Sequence, residues 1–222
     1  MKRASCFLLL MSSLAFAVSP AVDKAHKASL HIGQETVADS NYCSATAIGP
    51  QAILTATHCE LPDDTLYVEG RKVPLEIVRR MRDGNDHTIY LIKGTVFSVY
   101  ANVSLTDPVE VSEDVFIFGN PGKWSDVYQK GYIASIQVDN SIEAAFGHAD
   151  PDTILIDLQA FPGESGAGIF NTSGEVIAVL GFDCPQTHKD AAIDFAGAYP
   201  LAFKQADIDK ARSFSTPVEV HP

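Results

Sequence analysis

His58 closes the apolar run Leu54-Thr55-Ala56-Thr57 beside Cys59, and Ser165 sits far downstream among glycines in Pro162-Gly163-Glu164-Ser165-Gly166-Ala167-Gly168. A serine hydroxyl is a poor nucleophile at neutral pH unless a base within hydrogen-bond reach takes its proton, and a third group must orient that base. Ser165 has the setting of a nucleophile, because the glycines around it let the backbone turn tightly and approach a ligand. The amides of Gly163 and Ser165 in such a turn can point together at a developing oxyanion, and one such donor is worth about 100- to 1000-fold in rate. His58 is the candidate base. The third group should be a carboxylate beside an apolar strand, buried enough to hold one imidazole tautomer. Asp86, which opens Asp86-His87-Thr88-Ile89-Tyr90-Leu91-Ile92, fits that description best; Asp83, in the same polar turn but farther from the strand, is the alternative. The set suits acyl transfer through a serine ester. A lipase-type elbow is disfavoured, because it needs its histidine after the serine and here the good histidine comes first.

The elements that must position these residues are short strands. The pattern predicts strands over 29–32, 44–48, 52–55, 65–68, 73–78, 88–92, 115–119, 131–136, 153–156, 167–170 and 176–180, punctuated by Gly, Pro, Asn and Asp. Many strands with little helix between them argue for an all-β barrel or sandwich class. One helix is expected near 200–214, where Leu201, Phe203, Ile208, Ala211 and Phe214 recur in a polar background after Pro200. Leu105-Thr106-Asp107-Pro108-Val109-Glu110 is the best linker between two halves.

Lys2-Arg3, an apolar stretch from Cys6 to Phe16 and the small residues Ala15 and Ala17 predict a signal peptide over 1–17, cut after Ala17 or after Ala21. The stretch is shorter than the roughly 20 residues that span a bilayer, so a secreted or periplasmic protein is expected, with no membrane association after cleavage. Of the four cysteines, Cys6 leaves with that peptide. Cys43 and Cys59 bracket two apolar runs separated by Gly49-Pro50, which reads as a hairpin bridged at its outer ends; Cys184 is left as a free thiol. The formal net charge is −12, and it becomes two units more negative once Lys2 and Arg3 are removed. Nucleic acid is therefore not an expected partner, since the only compact basic run is Arg79-Arg80 with Arg82. No Cys-x-x-Cys or His-Glu-x-x-His spacing occurs, and His26, His31, His148, His188 and His221 read as surface or loop residues. No metal and no cofactor are expected.

Thr55-Ala56-Thr57-His58-Cys59, Asp86 before an apolar strand and Gly163-Glu164-Ser165-Gly166, in that order, resemble the chymotrypsin-like (trypsin-fold) serine peptidases over roughly residues 28–212. Val115 to Gly122, Gly131 to Ser135 and Phe161 to Gly166 are similar to bacterial glutamyl endopeptidases and periplasmic quality-control proteases. The resemblance implies two six-stranded antiparallel β-barrels and a carboxy-terminal helix. The first barrel would span 28–106 after an 18–27 segment, and the second 107–215, leaving a 216–222 tail and no room for an appended peptide-binding domain. It implies a secreted or periplasmic endopeptidase acting on peptide or protein substrates through an acyl-enzyme, with His58, Asp86 and Ser165 as the triad and Gly163 and Ser165 as oxyanion donors. The disulfide Cys43–Cys59 fits the family's bridge beside the catalytic histidine. By family register Gln159 to Glu164 form one wall and the base of the primary pocket, and Leu180, Gly181 and Phe182 the other. Gln159 stands where trypsin-like enzymes carry an acid, and Leu180 where glutamyl endopeptidases carry a histidine. A neutral, small or medium apolar substrate residue is then expected. Glu164 stands where animal members carry an activating aspartate; here it would bind the mature amino group or an arginine. His87 replaces the family's usual aliphatic residue. The alternative is a trypsin-fold binding protein that is inactive or cuts only itself or one partner.

Overall fold

A computed structural model describes residues 18–33, 42–71, 73–94, 96–106, 109–122, 124–136, 153–188 and 191–216. The predicted signal segment, Cys6, His148 and His221 lie outside the described residues, as do the side chains of Asp183, Cys184 and His188.

Six strands close the first barrel: β1 (Ser29–Gly33), β2 (Tyr42–Gly49), β3 (Ala52–Ala56), β4 (Thr65–Val68), β5 (Leu75–Arg82) and β6 (His87–Ile92), in the order β1-β2-β3-β6-β5-β4. β4 pairs back onto β1 through Ile32 opposite Val68. The second sheet runs β11 (Gly168–Asn171), β8 (Asp114–Gly119), β9 (Val127–Ser135), β10 (Ile154–Ile156), β13 (Ala191–Pro200), β12 (Glu175–His188), and the β11–β12 pairing closes it into a second six-stranded barrel. Short β7 (Asn102–Val103), inside the span expected for the first barrel, adds to β12 in parallel.

The period of two along each strand sorts side chains between three apolar clusters. On β6, Tyr90 and Ile92 fill the first barrel while Ile89 and Leu91 point outward. On β8, Val115 and Ile117 fill the second barrel while Phe116 and Phe118 point outward. The two outward faces meet in a third cluster, where Leu54, Ile89 and Leu91 join Phe116, Phe170 and Val179. Strands buried on both faces carry apolar residues at nearly every position, which is why β3 and β6 read as continuous runs. Burying each Leu or Phe there stabilises by roughly 1.5–3 kcal/mol, so the seam that sets the two barrels side by side is itself a core.

Two helices complete that seam. α1 (Pro20–Ala28) begins with proline at its first turn, has Asp23 near its start and His26 and Lys27 at its end, and buries Ala25 and Ala28. Sequence reading misses it because its buried face is built from alanines. α2 (Gln205–Ser213) buries Ile208 and Ala211 on the same seam, against the first barrel, after a chain that has just left the second. It begins later than the expected 200, since Pro200 ends β13 opposite Ala178. β13 was also unread: Ala191-Ala192-Ile193-Asp194-Phe195-Ala196-Gly197-Ala198 has little intrinsic strand preference, and pairing with β12 along its length supplies the order. β12 correspondingly runs to His188 instead of 180, and β5 and β9 lie at 75–82 and 127–135 rather than at 73–78 and 131–136.

Candidate active site

The hairpin β2–β3 delivers a 3-10 turn, Thr57–Cys59, to the mouth of the seam, and the Cys43–Cys59 disulfide ties that turn back to the start of β2. Closing a loop of this length stabilises by roughly 3 kcal/mol in the chain-entropy picture, and it fixes the segment that carries His58. The 83–87 turn before β6 brings Asp86 against it. Asp86 Oδ2 lies 2.7 Å from His58 Nδ1, Oδ1 accepts the His58 backbone N–H at 2.9 Å, and the Asp86 carbonyl accepts the Thr57 N–H at 2.6 Å. A carboxylate bound at both the ring and the amide of one histidine fixes the tautomer: Nδ1 carries the proton and Nε2 presents its lone pair. The ring is half exposed and lines a cleft.

Ser165 reaches the same place from the second barrel. Gly163 and Gly166 on either side adopt φ of 101° and 86°. A Cβ on Gly163 would strike the Asn120 carbonyl oxygen, and one on Gly166 would strike the Ser44 carbonyl oxygen and the Thr55 hydroxyl. Both positions therefore demand glycine for conformation and for space. The turn is held across the barrel boundary. Ser44 donates its N–H to the Ser165 carbonyl at 2.8 Å and its hydroxyl to the Gly163 carbonyl at 2.9 Å, while its Oγ accepts from Asn120 N and Nδ2. Gly122 donates to the Pro162 carbonyl at 2.8 Å, which anchors the Pro162–Gly163 peptide plane whose other side carries the Gly163 N–H. Among the described residues no acceptor meets the amides of Gly163 or Ser165. Both amides, two residues apart in one turn, are thus left without an acceptor, as an oxyanion site would require.

His58, Ser165 and Gly163 line one cleft of about 470 Å³ together with Tyr42, the Cys43–Cys59 bridge, Leu61, Pro62 and Pro162. Of the residues expected to wall the primary pocket, Gln159 is exposed on the loop leading into the Ser165 turn. The Phe182 ring lies over Gly197 beside Tyr199, and Gly181 packs its Cα on Tyr199. Leu180 departs from expectation. Its side chain is 1% exposed in the second-barrel core, so it lines no wall. It serves the site through its backbone, where its carbonyl accepts the Gly166 N–H at 2.8 Å and its N–H donates to Ala167.

Several other expectations change. Glu164 meets neither an amino terminus nor an arginine among the described residues: Gln129 Nε2 donates to one carboxylate oxygen at 2.6 Å and the Phe161 N–H to the other at 2.9 Å. The side chain is fully buried against Gly119, and burial pushes its carboxyl up to about 7 despite those two hydrogen bonds. His31 is not a surface residue. It is buried, with Nδ1 2.9 Å from Glu69, and Ser125 of the second barrel donates to the same carboxylate. Arg80 and Arg82 of the basic run pair with Asp64 and Glu60. No group of metal-ligating side chains occurs among the described residues. Ser44 and Asn120 are the residues that sequence reasoning missed; Gly119-Asn120-Pro121-Gly122 reads only as a turn until the two barrels are set together.

The Glu164 environment makes one prediction. Its carboxyl titrates at about 7 when folded against 4.5 for an ordinary glutamate, so the folded state binds the proton more tightly. Stability is then fully present below pH 4.5, declines as pH rises from 4.5 to 7 and levels off above 7, a loss of up to about 3 kcal/mol for a shift of that size. Urea unfolding at pH 5 and pH 8 should show a smaller decline in the midpoint for Glu164→Gln than for wild type; equal declines would contradict the assignment.

Residues 43–179 match the family described as the Trypsin-like peptidase domain. That match spans more than half of the chain, which belongs to this family and is a serine endopeptidase, a hydrolase of peptide bonds. A comparison with curated protein sequences returned no match. Among solved structures, the active form of the Rv3671c protease from M. tuberculosis superposes with a TM-score of 0.63 at 18% identity, over 90% of this chain and 86% of that one. The HtrA-type protease AlgW, solved with a tripeptide, gives a TM-score of 0.65 at 18% identity over 87% of this chain and 62% of its own. A serine endoprotease from Yersinia pestis gives 0.61 at 18% over 86% and 65%. The chain thus spans less than two thirds of the latter two proteins. At these identities the likeness speaks for the shared fold.

Proposed function

We propose that His58, Asp86 and Ser165 form the catalytic triad of an exported endopeptidase that cuts through an acyl-enzyme. The observation that carries this reading is the doubly bound His58–Asp86 pair at the lip of a cleft shared with Ser165 and two amides that have no acceptor among the described residues. His58 Nε2 takes the Ser165 proton as Oγ attacks the scissile carbonyl, and the Gly163 and Ser165 amides hold the oxyanion. The imidazolium, stabilised by Asp86, then protonates the leaving amine. Water, deprotonated by the same nitrogen, hydrolyses the ester and restores the serine. On the acyl side the exposed Gln159 and the Gly181–Phe182 segment offer no charge to a substrate side chain, which favours a neutral residue of small or medium size. On the leaving side Tyr42, Leu61 and Pro62 offer apolar surface. Export accords with a disulfide beside His58, since such bonds persist in oxidising compartments. No helix among the described residues is long and apolar enough to cross a membrane.

A peptide library and an activated ester test this together. The expected outcome is cleavage after small or medium apolar residues and a burst of ester product approaching one per chain. Cleavage confined to Lys, Arg or Glu sites would overturn the specificity. Folded protein that cuts no peptide and gives no burst would overturn the mechanism.

A further inference from the structure

The turn that delivers Asp86 contains a second histidine–aspartate pair. His87 Nδ1 lies 2.6 Å from Asp83 Oδ2, and the two side chains are 1% and 0% exposed. The pair repeats the geometry of His58 with Asp86 but is sealed. His87 Nε2 has no partner and no contact with solvent, so an Nε2–H there would be a buried donor without an acceptor. The proton that the pair shares is therefore the one on Nδ1, donated to Asp83. That makes Asp83 the hub of the turn. Its Oδ1 accepts the N–H groups of Asn85 and His87, and its Oδ2 accepts the His87 ring and the Ala202 N–H at 2.8 Å. Burial opposes the carboxylate, yet the His87 ring and the backbone donors outweigh it and hold the carboxyl below its usual range. Four N–H groups thus wind residues 83–87 around one buried carboxylate and tie them to the segment between β13 and α2.

Asp86 sits inside that winding at φ 63°, a left-handed conformation that non-glycine residues seldom adopt. It is this conformation that lets Asp86 turn its carbonyl to Thr57 and its carboxylate to both donors of His58. We propose that Asp83 and His87 are positioning residues: the buried pair holds Asp86 in its left-handed conformation and so sets the orientation of the His58 imidazole. Neither touches substrate. The proposal rests on the triad reading, and it accounts for the two features of this turn that fit that reading least, a second acid and a histidine where an aliphatic residue is usual.

Active-site titration with a fluorophosphonate, followed by kcat and KM per titrated site, separates the two. Wild type that takes no label defeats the triad reading itself. With labelled wild type, His87→Ala should lower kcat by about tenfold or more with KM changed less than about twofold, and His87→Asn, whose amide N–H stands where Nδ1 does, should restore most of it. In an Asp86→Ala background His87→Ala should cost less than about twofold, because the group it positions is gone. If His87→Ala does not accumulate, His87→Asn against His87→Gln carries the same contrast, as the longer amide cannot place its N–H at that point. Loss of kcat by the same factor with and without Asp86, or wild-type kcat in His87→Ala and Gln variants that have lost only thermal stability, would overturn the proposal.

Discussion

Replacing Asp86 by asparagine lowers kcat by about 10,000-fold while leaving the fold and KM close to wild type. The structure says why the loss is so large for so small a change. Asparagine keeps the size of the side chain, and its carbonyl oxygen can still accept the His58 backbone N–H from the Oδ1 position. Its amide NH2 then faces His58 Nδ1, where the carboxylate oxygen stood at 2.7 Å. Two donors cannot share that contact, so the imidazole moves its proton to Nε2. A protonated Nε2 cannot accept from Ser165, and the imidazolium formed during attack loses the negative charge beside it. Steady-state kinetics on an ester substrate, with thermal unfolding as the control for folding, measure this. A loss below about tenfold would mean that another acid, Asp83 first among them, orients the ring. The structure already argues against that substitution, because Asp83 is enclosed by His87, Asn85 and Ala202.

Ser165→Ala and His58→Ala should each remove roughly a millionfold in kcat, and the double variant should lose little more than either alone. The reason is that base and nucleophile act as one unit: without Oγ there is nothing for Nε2 to deprotonate, and without Nε2 the hydroxyl is as inert as any exposed serine. The residual rate belongs to the Gly163 and Ser165 amides and to substrate binding. It should be roughly a thousandfold or more above water. Losses that multiply in the double variant would place the two residues in separate events. Ser165→Ala is a mild change for the fold, since the turn is held by the Ser165 carbonyl through Ser44 and not by the hydroxyl.

What was legible in the sequence follows the range of each physical constraint. Ser165 and His58 were readable because their requirements are local: glycines that must be glycine, and a turn pinned by the adjacent Cys59. Asp86 was readable as a carboxylate opening a buried strand, but its left-handed backbone and the meaning of its neighbours Asp83 and His87 were not. Those depend on Ala202, more than a hundred residues away, closing the turn. Ser44 and Asn120 escaped for the same reason. Each belongs to one barrel, and only the seam between the barrels gives either a role. Leu180 was assigned by family register, which says where a position falls along the chain but not which face its side chain takes, and its side chain goes into the second-barrel core. Most of the strands were visible as apolar runs between turns, while their closure into two barrels came from the family resemblance. Alanine-rich α1 and β13 were not visible, because small residues signal neither period strongly.

The central claim is that Ser165 is a nucleophile made reactive by this site, and a single covalent experiment addresses it. Folded protein incubated with a fluorophosphonate should gain the mass of one phosphonyl group. Peptide mapping should place that group on Ser165, and labelling should vanish in Ser165→Ala and slow sharply in His58→Ala. Folded wild-type protein that stays unlabelled, or label found on any serine other than Ser165, would contradict the account.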